Sequence, residues 1–234
     1  MLISLLQQLL RGNSIDSNSL KLTIASLLLS LPIIFLTLSV HETAHGYVAY
    51  KLGDPTARSL GRLTLNPFKH FDPLGFIMML LIGYGWAKPV PIDTRYFKKP
   101  KRDMALTAAA GPLSNLLLAF IFTAFLKIFI VCTANVVPTT QFAANLLYFI
   151  GVFFVSGISM NLMLAVFNLL PIPPFDGSRL FLIVLPSKIY FKIQQYERYI
   201  FIAFFILLAT GVIDPVFYFI RDKLYSLLLL IFNI

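Results

Sequence analysis

Residues 20–52, LKLTIASLLLSLPIIFLTLSVHETAHGYVAYKL, decide the architecture. Bracketed by Lys21 and Lys51, this run is long enough to cross a hydrocarbon core, which takes about 20 residues as a helix. Pro32 marks the place where such a helix would kink. Near the end of the run stands His41-Glu42-Thr43-Ala44-His45. The whole chain has three histidines and two glutamates, and this pentapeptide holds two of the former and one of the latter. On a helix, residues four apart share a face, so His41 and His45 stand side by side. Two imidazoles so placed can hold one Zn²⁺, and Glu42 beside them can act as general base toward a water. The plainer alternative is two buried histidines bonded to backbone. An ionisable cluster inside a membrane-length run argues against it, because lipid makes such groups costly.

The rest of the composition agrees with a membrane setting. The chain of 234 residues is 58% hydrophobic and 12% charged, where a soluble domain carries about 25% charged residues. The net charge of +9 could suggest nucleic acid, but the basic residues sit in loops between apolar spans, as expected at a membrane surface. A single cysteine, Cys132, excludes an intrachain disulfide and a thiolate-rich metal site, and reads as a packed apolar residue. Residues 1–19 lack a basic start and a small-residue cleavage site and read as an interfacial segment rather than a signal peptide.

Further apolar spans are expected at about 104–131 and 142–170, with residues 187–234 as C-terminal helices. A fourth span ends near Ile213, and Val216–Ile234, interrupted by Arg221-Asp222-Lys223, reads as an interfacial or half-membrane helix. From Lys51 to Asp103 there are ten Lys or Arg and four Asp, and Arg179, Lys188, Lys192 and Arg198 follow the third span. This bias puts both basic stretches in the cytosol and the uncharged 132–140 connection outside. The histidines then lie roughly 9–15 Å below the Lys51 boundary on the cytosolic side, at ~1.5 Å per residue. Asp176, just past the third span, comes to the same depth.

A catalytic zinc needs a third protein ligand and an open position. His70 and Asp176 are the candidates. His70 lies in a turn-rich segment, Asn66 to Pro73, that reads as a surface loop. Asp176 follows Pro171-Ile172-Pro173-Pro174-Phe175 in apolar surroundings, where a lone carboxylate needs a partner. Between the first two spans, Phe76–Ile92 combines a short apolar run with Gly83-Tyr84-Gly85 and alternating residues. It reads as a re-entrant or β-hairpin segment that could hold an extended peptide along residues 84–92, with Trp86 and Val90 as substrate contacts.

Taken together, these motifs resemble the site-2 protease family of intramembrane zinc metalloproteases, in its short prokaryotic form without a PDZ or CBS domain. His41-Glu42-Thr43-Ala44-His45 matches the family's H-E-x-x-H. Asn168 through Asp176-Gly177 matches its Asn/Pro…Asp-Gly motif, in which the aspartate completes the zinc site. Gly111-Pro112-Leu113-Ser114-Asn115 resembles its Gly-Pro-x-x-Asn element, and Gly85–Pro91 the segment between the first two core helices. The resemblance covers about residues 35–185; Phe175 stands where leucine is usual. It implies an all-α polytopic membrane protein with a three-helix catalytic core, at residues 20–186, and peripheral helices. It implies Zn²⁺ on His41, His45 and Asp176, Glu42 as base, and cleavage of single-span membrane proteins inside the bilayer of a prokaryotic cell membrane. Asn115 is a candidate for stabilising the oxyanion, and Asn168 for supporting the Asp176 turn. The competing readings are a metal transporter and a membrane-helix binder that does not cut. Substrate identity and oligomeric state are not legible in the sequence.

Overall fold

The computed structural model describes residues 17–82, 85–182, 186, 189, 192–193 and 195–234. Most of the expected N-terminal interfacial segment, together with Gly83 and Tyr84, lies outside them. The apolar runs form long helices: α1 (Ser17–Lys51), α5 (Pro100–Thr133) and α6 (Gln141–Asn168). Three stretches, Leu27–Lys51, Pro100–Thr133 and Gln141–Asn168, are long and apolar enough to cross a membrane. The α1 helix continues through Pro32 without a break. The short helices α2 (Thr56–Ser59), α3 (Pro67–His70) and α4 (Pro73–Ile82) occupy the basic connection between α1 and α5. After α6 come α7 (Asp176–Leu182), α8 (Glu197–Ala209) and α9 (Asp214–Phe232).

The ends of these helices have local causes. Pro100 supplies the first residue of α5, where a missing N–H costs nothing. The buried Asp103 carboxylate accepts the Lys99 N–H at 2.9 Å and the Arg102 Nε–H at 3.0 Å. Thr140 caps α6 by accepting the Ala143 N–H. Asn66 caps α3 in the same way through Phe68.

The core helices α1, α5 and α6 pack together through small residues. A β-carbon on Gly157 of α6 would lie 2.6 Å from Cε1 of Phe122, so the α5 ring occupies the space that glycine leaves free. Around it Ala119, Phe122, Leu126, Ile158 and Leu162 form one buried cluster. A second cluster of Val166, Phe175, Phe204, Leu208 and Phe217 clamps the chain after α6 against α8 and α9. In contrast, Leu113, Leu117, Phe125 and Ile128 of α5 are largely exposed, the pattern of a helix face turned to lipid.

Three expectations meet the structure here. First, there is no strand among the described residues, and residues 85–93 form an extended segment rather than a hairpin arm. Its amides are committed elsewhere: Lys88 N–H donates to His70 O, Val90 N–H to Glu42 Oε2 and Asp93 N–H to Asp54 Oδ2. Pro89 and Pro91 have no N–H to give, and the Arg62 guanidinium donates to the Lys88 and Pro89 carbonyls. The amides of Lys88, Val90 and Asp93 are therefore not free to pair with a strand. Second, the C-terminal segment expected as an interfacial or half-membrane helix is a single helix, α9, that runs through Arg221-Asp222-Lys223 and packs on α5 and α6; it is not among the described helices long and apolar enough to cross a membrane. Arg221 donates to Asp222 and to Ser159 Oγ, and Phe232 meets Phe120 near the far end. Third, Cys132 is exposed in the last turn of α5 rather than packed.

Candidate metal centre

His41 and His45 lie one helical turn apart on α1, both buried. The prolines after α6 turn the chain back so that Asp176 starts α7 directly opposite them. Gly177 makes that turn possible: a β-carbon there would stand 2.5 Å from the Leu170 carbonyl oxygen. As a result His41 Nε2 lies 3.2 Å from Asp176 Oδ2, and His45 Nε2 lies 3.1 Å from it. The two Nε2 atoms are 3.1 Å apart. Donors of a tetrahedral zinc with bonds of about 2.0–2.1 Å are separated by roughly 3.3 Å. The trio therefore has the spacing that Zn²⁺ requires. Two imidazole nitrogens and a carboxylate oxygen crowded this closely in a buried place need a cation or protons between them. The structure thus brings Asp176, and not His70, to the two histidines.

His70 is at a different place and is not a surface residue. It is buried at the end of α3, and its Nε2 lies 2.7 Å from the Thr64 carbonyl. It lines an aromatic cleft with Phe35, Phe71, Phe76 and Trp86. Ser39 also lines this cleft and lies three residues before Glu42, so on α1 the cleft is one turn from Glu42.

Glu42 is buried between the ligands in sequence but does not join them. Its Oε2 accepts the Val90 N–H at 2.8 Å. The Val90 side chain, expected to contact substrate, is turned inward and packs where Gly46 leaves room, 3.1 Å from that glycine's would-be β-carbon. The 85–93 segment is thus a brace for Glu42. Asp54, wholly buried, anchors the far end of this brace through Asp93 and also accepts from the Thr56 N–H and hydroxyl. Nothing in the sequence distinguished Asp54 from the other loop acids. Beyond the brace, hydrogen bonds from the Arg95 guanidinium hold the Asp93 carboxyl below the usual carboxylate range, and Arg95 is raised in turn.

The α5 helix closes the site from behind. His45 Nδ1 is 2.7 Å from the Thr107 carbonyl oxygen. The Asn115 amide, wholly buried, is 3.1 Å from His41 Nδ1. Between them lies Gly111, whose β-carbon, were there one, would sit 2.5 Å from Cε1 of each ring. Asn168 bonds within its own helix, to the Leu164 carbonyl at 3.0 Å, and not to the Asp176 turn.

Two imidazoles and a carboxylate for the metal, with a second carboxylate held beside them but outside the ligand set, are what hydrolysis requires. Set among membrane-length helices, they form a candidate metal centre that fits a membrane metallopeptidase. The chain belongs to peptidase family M50, whose profile matches residues 29–210. Three relatives bear the name "Putative zinc metalloprotease". YwhC of Bacillus subtilis is 44% identical over 177 residues, 76% of this chain and 78% of that protein. MJ0611 of Methanocaldococcus jannaschii is 38% identical over 106 residues, 45% of this chain and 48% of that protein. Rip2 of Mycolicibacterium smegmatis is 28% identical over 148 residues, 61% of this chain and 51% of that protein. No solved structure matches the chain.

Proposed function

We propose that this chain is an endopeptidase that cuts transmembrane helices of single-span proteins within the bilayer, on the cytosolic side of a prokaryotic cell membrane. The observation that carries this reading is the burial of His41, Glu42 and His45 in a helix of membrane length. The basic connections at 51–103 and after α6 support the cytosolic placement by their charge.

His41, His45 and Asp176 would hold Zn²⁺. When bound, the metal lowers the pKa of water and polarises the scissile carbonyl. Glu42 then takes the water's proton and can pass it to the leaving amine. The Val90 N–H keeps the Glu42 carboxylate oriented. A helical substrate must expose its backbone before it can be cut, and the aromatic cleft beside α1, with Trp86 on its wall, offers an apolar place for a released side chain.

Purified protein in detergent, offered a panel of labelled single-span helices, should cut within the span, and a zinc chelator should stop it. Cleavage confined to soluble peptides would refute the intramembrane reading. Asp176→Ala should weaken zinc binding by more than about 100-fold, beyond what loss of an outer-shell partner costs. Full zinc retention by that variant, measured by chelator competition, would remove Asp176 from the ligand set. Trp86→Ala should lower kcat/KM by roughly tenfold with zinc occupancy unchanged, the scale of one lost apolar contact. Unaltered cleavage of every helix in the panel would remove Trp86 from the substrate path.

A further inference from the structure

Three positions on one stripe of α5, spaced four residues apart, address the two ligand histidines: Thr107, Gly111 and Asn115. The outer contact of His45 is unambiguous. A carbonyl oxygen can only accept, so the 2.7 Å contact with Thr107 places a proton on His45 Nδ1, the tautomer in which the neutral ring turns a lone pair on Nε2 toward Asp176. His41 has the same need. With a metal between its Nε2 and Asp176, 3.2 Å apart, its proton would sit on Nδ1 and require an acceptor. Among the described residues, the hydrogen-bond partner at His41 Nδ1 is the Asn115 side chain, at 3.1 Å.

The Asn115 amide has its nitrogen turned to His41, and its Oδ1 is buried without a hydrogen-bond partner. The two ends of an amide exchange by a half-turn, and the hydrogen-bond network decides between them. Two donors cannot face each other across 3.1 Å. The arrangement that serves both groups has Oδ1 toward the ring.

We infer that Asn115 is the positioning residue of His41: its Oδ1 accepts the Nδ1–H and fixes the tautomer and ring plane with Nε2 open to the metal. It thus plays for His41 the part that the Thr107 carbonyl plays for His45. This role rests on the zinc reading of the trio and replaces the oxyanion role expected from sequence. Asn115 acts through His41 and not on the reacting carbonyl. Removing such outer partners typically costs 10–100-fold in metal affinity.

The test compares full-length wild type with Asn115→Leu, which keeps the volume and removes the acceptor, and Asn115→Asp, which keeps an oxygen there. Zinc affinity is read by chelator competition. The ring-nitrogen state is read by NMR after ¹⁵N-histidine labelling, with only three histidines to assign. The leucine variant should bind zinc about 10–100-fold more weakly, lose the hydrogen-bonded Nδ1–H signal of His41, and recover most of its kcat in excess zinc. The aspartate variant should hold zinc at least as tightly as wild type. A leucine variant with wild-type zinc affinity and depressed kcat at full occupancy overturns the inference and returns Asn115 to the reacting group. Failure of both variants to bind zinc, with wild type binding it, also overturns it. A wild type that binds no zinc sinks the metal reading itself, a distinct outcome.

Discussion

Gly111→Ala is expected to disable the metal site while leaving every ligand and the base in place. The added methyl group would lie 2.5 Å from Cε1 of both His41 and His45, well inside van der Waals contact. Neither neighbour can yield cheaply. The rings are held at their outer nitrogens by Thr107 and Asn115 of the same α5 helix, so any retreat of α5 drags the rings with it. Overpacking of this kind costs about 1–3 kcal/mol of stability. A 1 Å misplacement at a reacting centre can cost on the order of 100-fold in rate. We therefore expect zinc affinity to fall by about 100-fold or more, with a lower thermal midpoint in detergent. Gly151→Ala is the control. Its β-carbon meets its nearest neighbour at 3.6 Å, ordinary contact, and alanine is the better helix former by about 1 kcal/mol. If Gly111→Ala binds zinc and cuts as well as Gly151→Ala does, the close packing of α5 on the histidines has been misread.

Glu42→Gln is expected to show the opposite pattern, with the metal kept and catalysis gone. The amide matches the carboxylate in volume, and its Oε1 can still accept the Val90 N–H, so the brace survives. What the amide cannot do is take a proton from water. General-base contributions amount to about 10²–10⁴ in rate, so cleavage should fall by at least that range with zinc stoichiometry and melting unchanged. The pair of measurements separates peptidase from metal carrier, since transport has no use for a non-ligand carboxylate beside the ligands. Wild-type cleavage by Glu42→Gln would mean that the base lies elsewhere.

These two residues also show how far the sequence can be read. His41, Glu42 and His45 were legible because helix geometry turns a spacing of four into a shared face. Asp176 was legible because an acid among prolines and apolar residues must find a partner. The three core spans followed from hydropathy, with ends displaced by a few residues: α5 begins at Pro100 rather than near Met104, because proline and the Asp103 cap extend it. The failures involve groups that carry no residue signature. The Val90 N–H and the Thr107 carbonyl are main-chain atoms, and any residue could have supplied them. The alternation in 85–92 imitated a strand because composition does not reveal where amides bond, and here they bond to Glu42, His70 and Asp54. Likewise, His70 looked like a loop residue because burial by neighbours distant in sequence, Phe35 among them, leaves no local trace.

The ligands arrive in a fixed order along the chain, and that order has a consequence for biogenesis. Both histidines and the base belong to the first core helix, whereas Asp176 follows the last of the three. A nascent chain inserted as far as residue 168 already carries the base and two ligands, yet it lacks the third protein ligand that a catalytic zinc requires. A site of three protein ligands would therefore form only once the chain beyond the third core helix has folded back against the first.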